Sequence, residues 1–598
     1  MKEFVKMTLA VLCGLFIACI IAFVLGLGFI GSLAAVSSAQ PSLPKKGVLY
    51  IDMSRFALGE QSAEADPMTM IQGQSTASVG LWEAVQAVNQ AAEDPAVQFI
   101  YLRPEGAAAG IAQFQEFRQA LAHFRQSGKA VVARIENPTT AAMYLASVAD
   151  KIYMSSYEGG TNMFYGVSSQ LFFLKDLLDK LGVNVQLIRH GKYKSAGEMF
   201  VKNAPSEENM EQNLAMIQSV WESYAEEIAA SRGMSVEMLD GLIDGLKLNF
   251  PEDFLNAGLV DALMDRNEFQ DKLTDLAMAE KFDDIKFIQF PDYVKAKTTL
   301  SKARQTIAII YADGEIVDGP GRAQVAGQYF AKVIADVRKD DSVKGVVFRV
   351  NSPGGSVYSS EMIRTEIDLL CAEKPVVASF GDYAVSGGYW ISNGCSKIFA
   401  DKGTLTGSIG VFSMIPDFSG TLKDIAHVNV TSVNSNKHSD MMGLMRPFDA
   451  AETAYMQASV ERIYDRFVNL VAQGRGLMPE YVDSIAQGRV WTGSEAIGIG
   501  LVDEIGTLED AVHWMIAELS ERPEDAELSR WNISGYPKPQ TSVERLMEMF
   551  GQKAKVHALT GTRFEEMGDA MTDWADRWLR AEKPTTLFAR IPYQIVIQ

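Results

Sequence analysis

The chain has 598 residues, of which 47% are hydrophobic and 22% charged, with 48 glycines and 20 prolines. That length allows several domains at about 150 residues each, and the composition excludes a wholly disordered, collagenous or multi-span membrane chain. A formal charge of -20 argues against an electrostatic grip on phosphates, which needs clustered Lys and Arg, so nucleic acid is excluded as a partner.

The first feature in chain order is apolar. No charged residue occurs between Lys6 and Lys45, and residues 7–36 are apolar apart from Thr8, Ser32 and the glycines, long enough to cross a bilayer as one helix. Small residues at 34–39 could serve as the cleavage site of a secretory signal, but a run of about thirty residues exceeds the ~7–15 of a signal core. Residues 1–45 are therefore read as a retained membrane anchor. Lys2 and Lys6 on the short N-terminal side place the body outside the cytoplasm, although Lys45 and Lys46 put equal positive charge on the far flank. Gly26-Leu-Gly-Phe-Ile-Gly31 fits a dinucleotide-loop pattern but lies within the membrane run, so it carries no such reading. Two of the four cysteines (Cys13, Cys19) also fall in this run, which leaves too few for a disulfide framework.

The rest of the chain repeats itself. Lys129-Ala-Val-Val-Ala133 and Lys374-Pro-Val-Val-Ala378 stand 245 residues apart. Tyr144-Leu145 and Lys151-Ile-Tyr153 are answered in order by Tyr389-Trp390 and Lys397-Ile-Phe399, and Gly258-Leu-Val-Asp261 by Gly500-Leu-Val-Asp503. The apolar, β-rich runs 97–103 and 343–349 form another pair. Strand-like runs alternate with helical patterns such as residues 359–372, so the fold class is α/β. The expected organisation is a first half at 46–275, a charged linker at 276–303, a second half at 304–520 and a tail at 521–598. The tail is mostly helical in pattern (542–549, 564–578) and ends in a strand-like stretch at 593–597.

Two glycine-rich turns carry chemistry. Asn351-Ser-Pro-Gly-Gly-Ser356 follows the strand-like run 345–350, and its paired glycines let backbone N–H groups face outward, where they can bind an anion. Alone it would read as an ordinary tight turn. Thirty residues on, after the apolar run 375–380, Gly381-Asp-Tyr-Ala-Val-Ser386-Gly-Gly-Tyr-Trp390 places a serine at another strand-to-helix passage, with Gly387 behind it. The repeat puts Ala141 and Ala142 opposite Ser386 and Gly387, and Pro104-Glu-Gly-Ala-Ala108 where the second half has its glycine pair. Only the second half can host a nucleophile here.

The six histidines show no relation to either glycine turn, and no G-x-S-x-G surrounds Ser386. His438-Ser439-Asp440 has the three triad residue types in a row, but consecutive side chains cannot form the required relay. The first half offers Gly191-Lys-Tyr-Lys194-Ser-Ala-Gly-Glu198 where the second reads Asn436-Lys437-His438-Ser439, so each half keeps what the other lacks. A lysine base must be neutral, which requires burial or nearby positive charge to lower its pKa from about 10.4. An interface between the halves could desolvate Lys194, whereas a lone lysine reads as a solvated surface charge. There is no H-E-x-x-H, no paired C-x-x-C and no histidine cluster at ligand spacing, so no metal and no cofactor are expected.

Tyr193-Lys194-Ser195-Ala196, Asn351 to Gly355, Ser386-Gly-Gly-Tyr-Trp390 and Thr404-Leu-Thr-Gly-Ser408-Ile-Gly410 occur in this order, and together they resemble the signal peptide peptidases of the SppA type, or protease IV, in their long tandem form. The resemblance covers about residues 46–520 and the anchor. It implies two tandem ClpP/crotonase-like domains, with Ser386 as nucleophile, Lys194 as general base and Ser408 orienting the lysine. It also implies an oxyanion hole from the N–H of Gly355 with that of Gly354 or Gly387. The implied setting is an inner-membrane homotetramer, its body on the periplasmic side, that degrades cleaved signal peptides. Val385 and Met199 depart from the family's usual alanine and proline, which puts pocket shape in question but not the dyad. The fold alone would also permit a crotonase-like acyl-CoA enzyme, and the eroded first half an inactive scaffold, but neither needs a serine and a lysine kept in complementary halves.

Overall fold

The computed structural model describes residues 6, 7, 14, 41–63, 77–297, 303–322, 324–539 and 588–590. The expected membrane helix and the tail segments 542–549, 564–578 and 593–597 lie outside the described residues. Among the described residues no helix is long and apolar enough to cross a membrane.

The repeat in sequence reappears as a repeat in topology. One sheet runs in the order Ala262–Met264, Lys151–Ser155, Val131–Ile135, Val97–Arg103, Gly47–Asp52 and Phe287–Gln289. A second runs Glu504–Ile505, Lys397–Ala400, Val376–Val385, Val343–Ser352, Thr306–Asp313 and Asn532–Tyr536. Strand for strand the order is the same, and these neighbours pair in parallel. Helices cover both faces of a parallel sheet, so its strands read as continuous apolar runs rather than alternating ones. Val131–Ile135 is buried throughout, as is Thr306–Asp313 up to its last residue.

Two outer strands come from segments where the sequence predicts a linker and a helical tail. Phe287–Gln289 closes the first sheet, and the helix Phe290–Lys297 buries Phe290, Tyr293 and Val294 in its core. Asn532–Tyr536 does the same for the second sheet beside Thr306–Asp313. The charges of Glu280 to Lys286 mark a solvated approach, and the short apolar stretch behind them belongs to the fold.

In the second sheet the strands run past the predicted limits. Val343–Ser352 continues beyond Arg349 into the glycine turn, and Val376–Val385 delivers the chain directly to Ser386. A third sheet stands over this end, in the order Val325–Ala326, Ile316–Val317, Gly354–Ser356, Phe588–Arg590, Val411–Asp417 and Asn184–His190. Its last member comes from far upstream and pairs antiparallel with Val411–Asp417, from Val411 opposite His190 to Asp417 opposite Asn184.

Charged groups buried between the two large sheets also join them. Arg349 is wholly buried, with Nε 2.7 Å from Glu60 and Nη2 2.7 Å from Glu116. Its Nη1 donates to Ser379 Oγ and the Phe380 carbonyl on the strand leading to Ser386. In return, Asp382 of that strand accepts the Ala112 N–H (2.8 Å) in the first turn of Ile111–Gln126. Gly110 precedes that helix because a Cβ there would fall 1.7 Å from the Asp382 carboxylate.

Removing one member of a buried ion cluster leaves its partners uncompensated. Arg349→Ala is expected to lower stability by about 3–5 kcal/mol, while Arg530→Ala on the surface stays within ~1 kcal/mol; thermal unfolding of both variants checks this. Burial, reinforced by the Glu60 carboxylate, lifts the Asp382 pKa to about 7. A raised carboxylate binds its proton more tightly in the folded state, so its stabilisation is full at acid pH and is lost as pH rises through that value. The stability of wild type relative to Asp382→Asn should therefore fall between about pH 4 and 7, as read from denaturation midpoints across that range.

Candidate active site

The glycine turn, the serine turn and the lysine loop meet where the second and third sheets adjoin. After Ser352 and Pro353 the chain turns through Gly354 (φ +93°) and Gly355 (φ +156°). A Cβ on Gly355 would lie 1.9 Å from the Ile316 carbonyl oxygen, so only glycine lets this strand pair beside Ile316–Val317. The Gly354 N–H is engaged by Ser352 Oγ at 3.2 Å. Gly387 packs onto the same turn, since a Cβ there would come within 3.1 Å of both Gly354 Cα and Gly355 N. As the first residue of the helix Gly387–Ser392, it presents an N–H with no acceptor inside the helix.

Ser386 stands at the N-cap of that helix with φ +57° and ψ -113°, outside the usual regions for a side-chain-bearing residue. Such strain, on the order of 1–3 kcal/mol, persists only where the surroundings over-determine it. Here the Ser386 N–H donates to the Gly407 carbonyl, and the Trp390 N–H closes the helix onto the Ser386 carbonyl. Ser408 is likewise at positive φ, held by its own N–H on the Arg489 carbonyl.

Lys194 reaches Ser386 from the loop that follows Asn184–His190. Its Nζ lies 2.7 Å from Ser386 Oγ, 2.9 Å from Ser408 Oγ and 3.1 Å from the Ser408 carbonyl. The side chain is 1% exposed, and burial depresses its pKa well below the usual lysine value. A neutral amine here has two N–H bonds for Ser408 and a lone pair for the Ser386 hydroxyl.

Residues without a sequence-assigned role hold this amine in place. Gly488 (φ +79°) backs the lysine so closely that a Cβ would sit 2.6 Å from Lys194 Cβ, and a Cβ on Gly410 would meet Lys194 Cδ at 3.1 Å. The Tyr193 N–H donates to the Gln487 carbonyl, and Gln212 Nε2 to the Tyr193 carbonyl and Ser195 Oγ. Behind the loop, buried Glu198 accepts from Arg189, Ser206 and Asn209, and Arg189 also caps the Lys194 carbonyl. Glu198 follows Lys194 by four residues in the motif, and that spacing is the one sequence signal for its role.

The other candidates disperse. His438, Ser439 and Asp440 turn to Glu452, Asn436 and Arg446 respectively. Ligand atoms of His438, Asp449 and Glu452 lie within 4.8 Å of one another, but Arg446 already pairs with Glu452, and Asp449 caps the helix Ala450–Arg475.

A family model described as Peptidase family S49 matches residues 123–280 and 368–521. The chain is 32% identical over 543 residues to Protease 4 of Haemophilus influenzae, covering 86% of each chain. It is 36% identical over 481 residues to Protease 4 of Salmonella typhi, covering 78% of this chain and 75% of that one. The chloroplastic serine protease SPPA of Arabidopsis thaliana is 30% identical over 435 residues, or 71% of this chain and 63% of that one. Among solved structures, a ClpP1 variant of Listeria monocytogenes aligns with 34% of this chain and 94% of its own, at 16% identity and a TM-score of 0.22. With two regions matched in one chain and relatives aligned over most of their length, the chain is a serine peptidase and belongs to peptidase family S49.

Proposed function

We propose that Ser386 is the nucleophile and Lys194 the general base of a Ser-Lys dyad that hydrolyses cleaved signal peptides and other apolar peptides. The observation that carries this is the 2.7 Å contact between a fully buried amine and the serine hydroxyl. The Lys194 lone pair takes the hydroxyl proton as Oγ attacks the peptide carbonyl, while Ser408 holds the two amine hydrogens and fixes the direction of the lone pair. The oxyanion forms beside the Gly355 and Gly387 N–H groups, Gly354 being engaged with Ser352. The ammonium of Lys194 then protonates the leaving amine. Water, deprotonated by the same lysine, attacks the acyl-serine and releases the second product.

The setting follows from the sequence. The apolar run before Lys45 anchors the body at the inner membrane on the periplasmic side, where released signal peptides lodge. The repeated sheets are two ClpP/crotonase-type units, expected at 46–275 and 304–520 and extended by their outer strands Phe287–Gln289 and Asn532–Tyr536, the first supplying the lysine and the second the serine. The homotetramer implied by the family resemblance would gather these sites around the membrane face.

Ser386→Ala and Lys194→Ala should each lower kcat by about 10³-fold or more, and the double variant little further, because the two act as one unit. Wild-type activity should rise with pH through the depressed lysine pKa and vanish on the acid side, where the protonated amine accepts nothing. Hydrolysis of a fluorogenic apolar peptide across pH measures both, and full activity in Ser386→Ala would refute the assignment. Gly488→Ala, with its Cβ against Lys194, should cut kcat by about 10²-fold while KM changes little, as steady-state kinetics would show.

A further inference from the structure

Two helices start at the active site, Val357–Glu373 behind the glycine strand and Gly387–Ser392 behind Ser386, and a cysteine stands at the far end of each. Cys371 is in the last turn of the first, and Cys395 follows the second, its N–H on the Ser392 carbonyl. The helices pack on one another, and Arg364 fixes how they meet. It lies two turns before Cys371 on the same helix face, and its Nη1 donates to the Trp390 carbonyl (3.0 Å) and to Asn393 Oδ1 (2.8 Å). A Cβ on Gly394 would fall 2.4 Å from Arg364 Nη2, so the turn into Cys395 lies directly against that face. The two thiols meet there as hydrogen-bond partners. Cys395 is 2% exposed, within the apolar core of the second sheet, whereas Cys371 is partly exposed at its edge.

Thiol–disulfide exchange needs an accessible thiolate to attack and a second thiol behind it to complete the bond. The hydrogen bond from Cys395, with the Arg364 guanidinium, holds the Cys371 thiol below its ordinary pKa against burial and the Asp368 carboxylate. The same bond and burial push the Cys395 thiol well above its own. We propose that Cys371 and Cys395 are a thiol–disulfide exchange site, closing on reaction with an incoming disulfide into a reversible bond that clips together the helices behind the oxyanion glycines and Ser386. The Cys371 thiolate attacks one sulfur of the incoming disulfide and expels the other as a thiolate. Cys395 gives up its proton, attacks Cys371 Sγ of the mixed disulfide and expels the second thiolate. The cysteine pair loses two electrons and two protons, and the incoming disulfide leaves as two thiols. The sulfurs need only close from contact to ~2.05 Å. The loop so closed, 371–395, holds the strand Val376–Val385, Ser386 and the helix Gly387–Ser392, so the bond confines the unfolded form of the segment that bears the nucleophile.

The test uses the full chain in detergent carrying Cys13→Ser and Cys19→Ser, so that only this pair can react. After equilibration in glutathione buffers from reducing to oxidising, free thiols are alkylated under denaturation and the peptides are mapped by mass. The expected result is that residues 371 and 395 are alkylated at the reducing end and joined to each other at the oxidising end, the joined form unfolding about 5 °C higher. Adding Cys395→Ala should stop the reaction at the mixed disulfide, with glutathione on Cys371. Adding Cys371→Ser should leave Cys395 reacting at least about tenfold more slowly than Cys371 does, and neither variant should show the redox dependence of unfolding. Two free thiols in the parent chain at every poise, or glutathione left on Cys371 with no transfer to Cys395, would overturn the proposal. So would a joined form that unfolds no higher than the reduced one, since the bond would then strain the helices rather than hold them. Reduced and oxidised forms of the parent chain decide the matter even where a variant does not fold.

Discussion

An amine shut away from water keeps its proton only if something nearby is negative enough to hold it. Lys194 meets two hydroxyls and a carbonyl, which orient hydrogen bonds without supplying a counter-charge. The downward pull on its pKa is thus a product of enclosure, and the surrounding residues maintain that enclosure. Gly488 and Gly410 let backbone close over the aliphatic stem, and the Glu198 knot ties down the loop from behind. Strain at Ser386 and Ser408 has the same origin: both are held at positive φ by neighbouring carbonyls, so that two hydroxyls face one nitrogen.

Exchange between the two sheets runs in both directions. The first region lends a strand and an amine to the second, and the second lends Arg349 to the acids Glu60 and Glu116. The helices Ile111–Gln126 and Val357–Glu373 follow equivalent strands but use their N-termini differently. One starts at the glycine strand, while the other receives the Asp382 carboxylate. Where the first half has lost its glycine pair, the anion-attracting end of a helix has become a docking point.

What could be read from the sequence follows a physical divide. Repeated apolar runs of strand length announce a repeated parallel sheet, because burial on both faces writes itself locally into Val131–Ile135 and Val376–Val385. Ser386 and Lys194 stood out because each half lacked what the other kept, and the structure brings them into contact. Pairing across long separations has no such signature. Nothing in Asn184–His190 says that its partner is Val411–Asp417, and nothing in Gly488 says that a lysine will lie against it. Arg349, Glu60 and Glu116 are charged residues that go inside only because they go together. Phe287–Gln289 and Asn532–Tyr536 were hidden by shortness and by the charges around them.

The placement of the lysine strand has a consequence for biosynthesis. Domains fold largely as they emerge from the ribosome, N-terminal parts first. When the first sheet is complete, Lys194 has neither Val411–Asp417 to pair its strand nor Gly488 to wall it in, so its amine remains hydrated and charged. Even after Ser386 is translated, the walls that hold Lys194 against it are incomplete. The enclosure is complete only with the residues around 488, late in translation. Because Lys194 and Ser386 stand nearly two hundred residues apart (194 to 386), their contact can form only once the fold that confines it is in place.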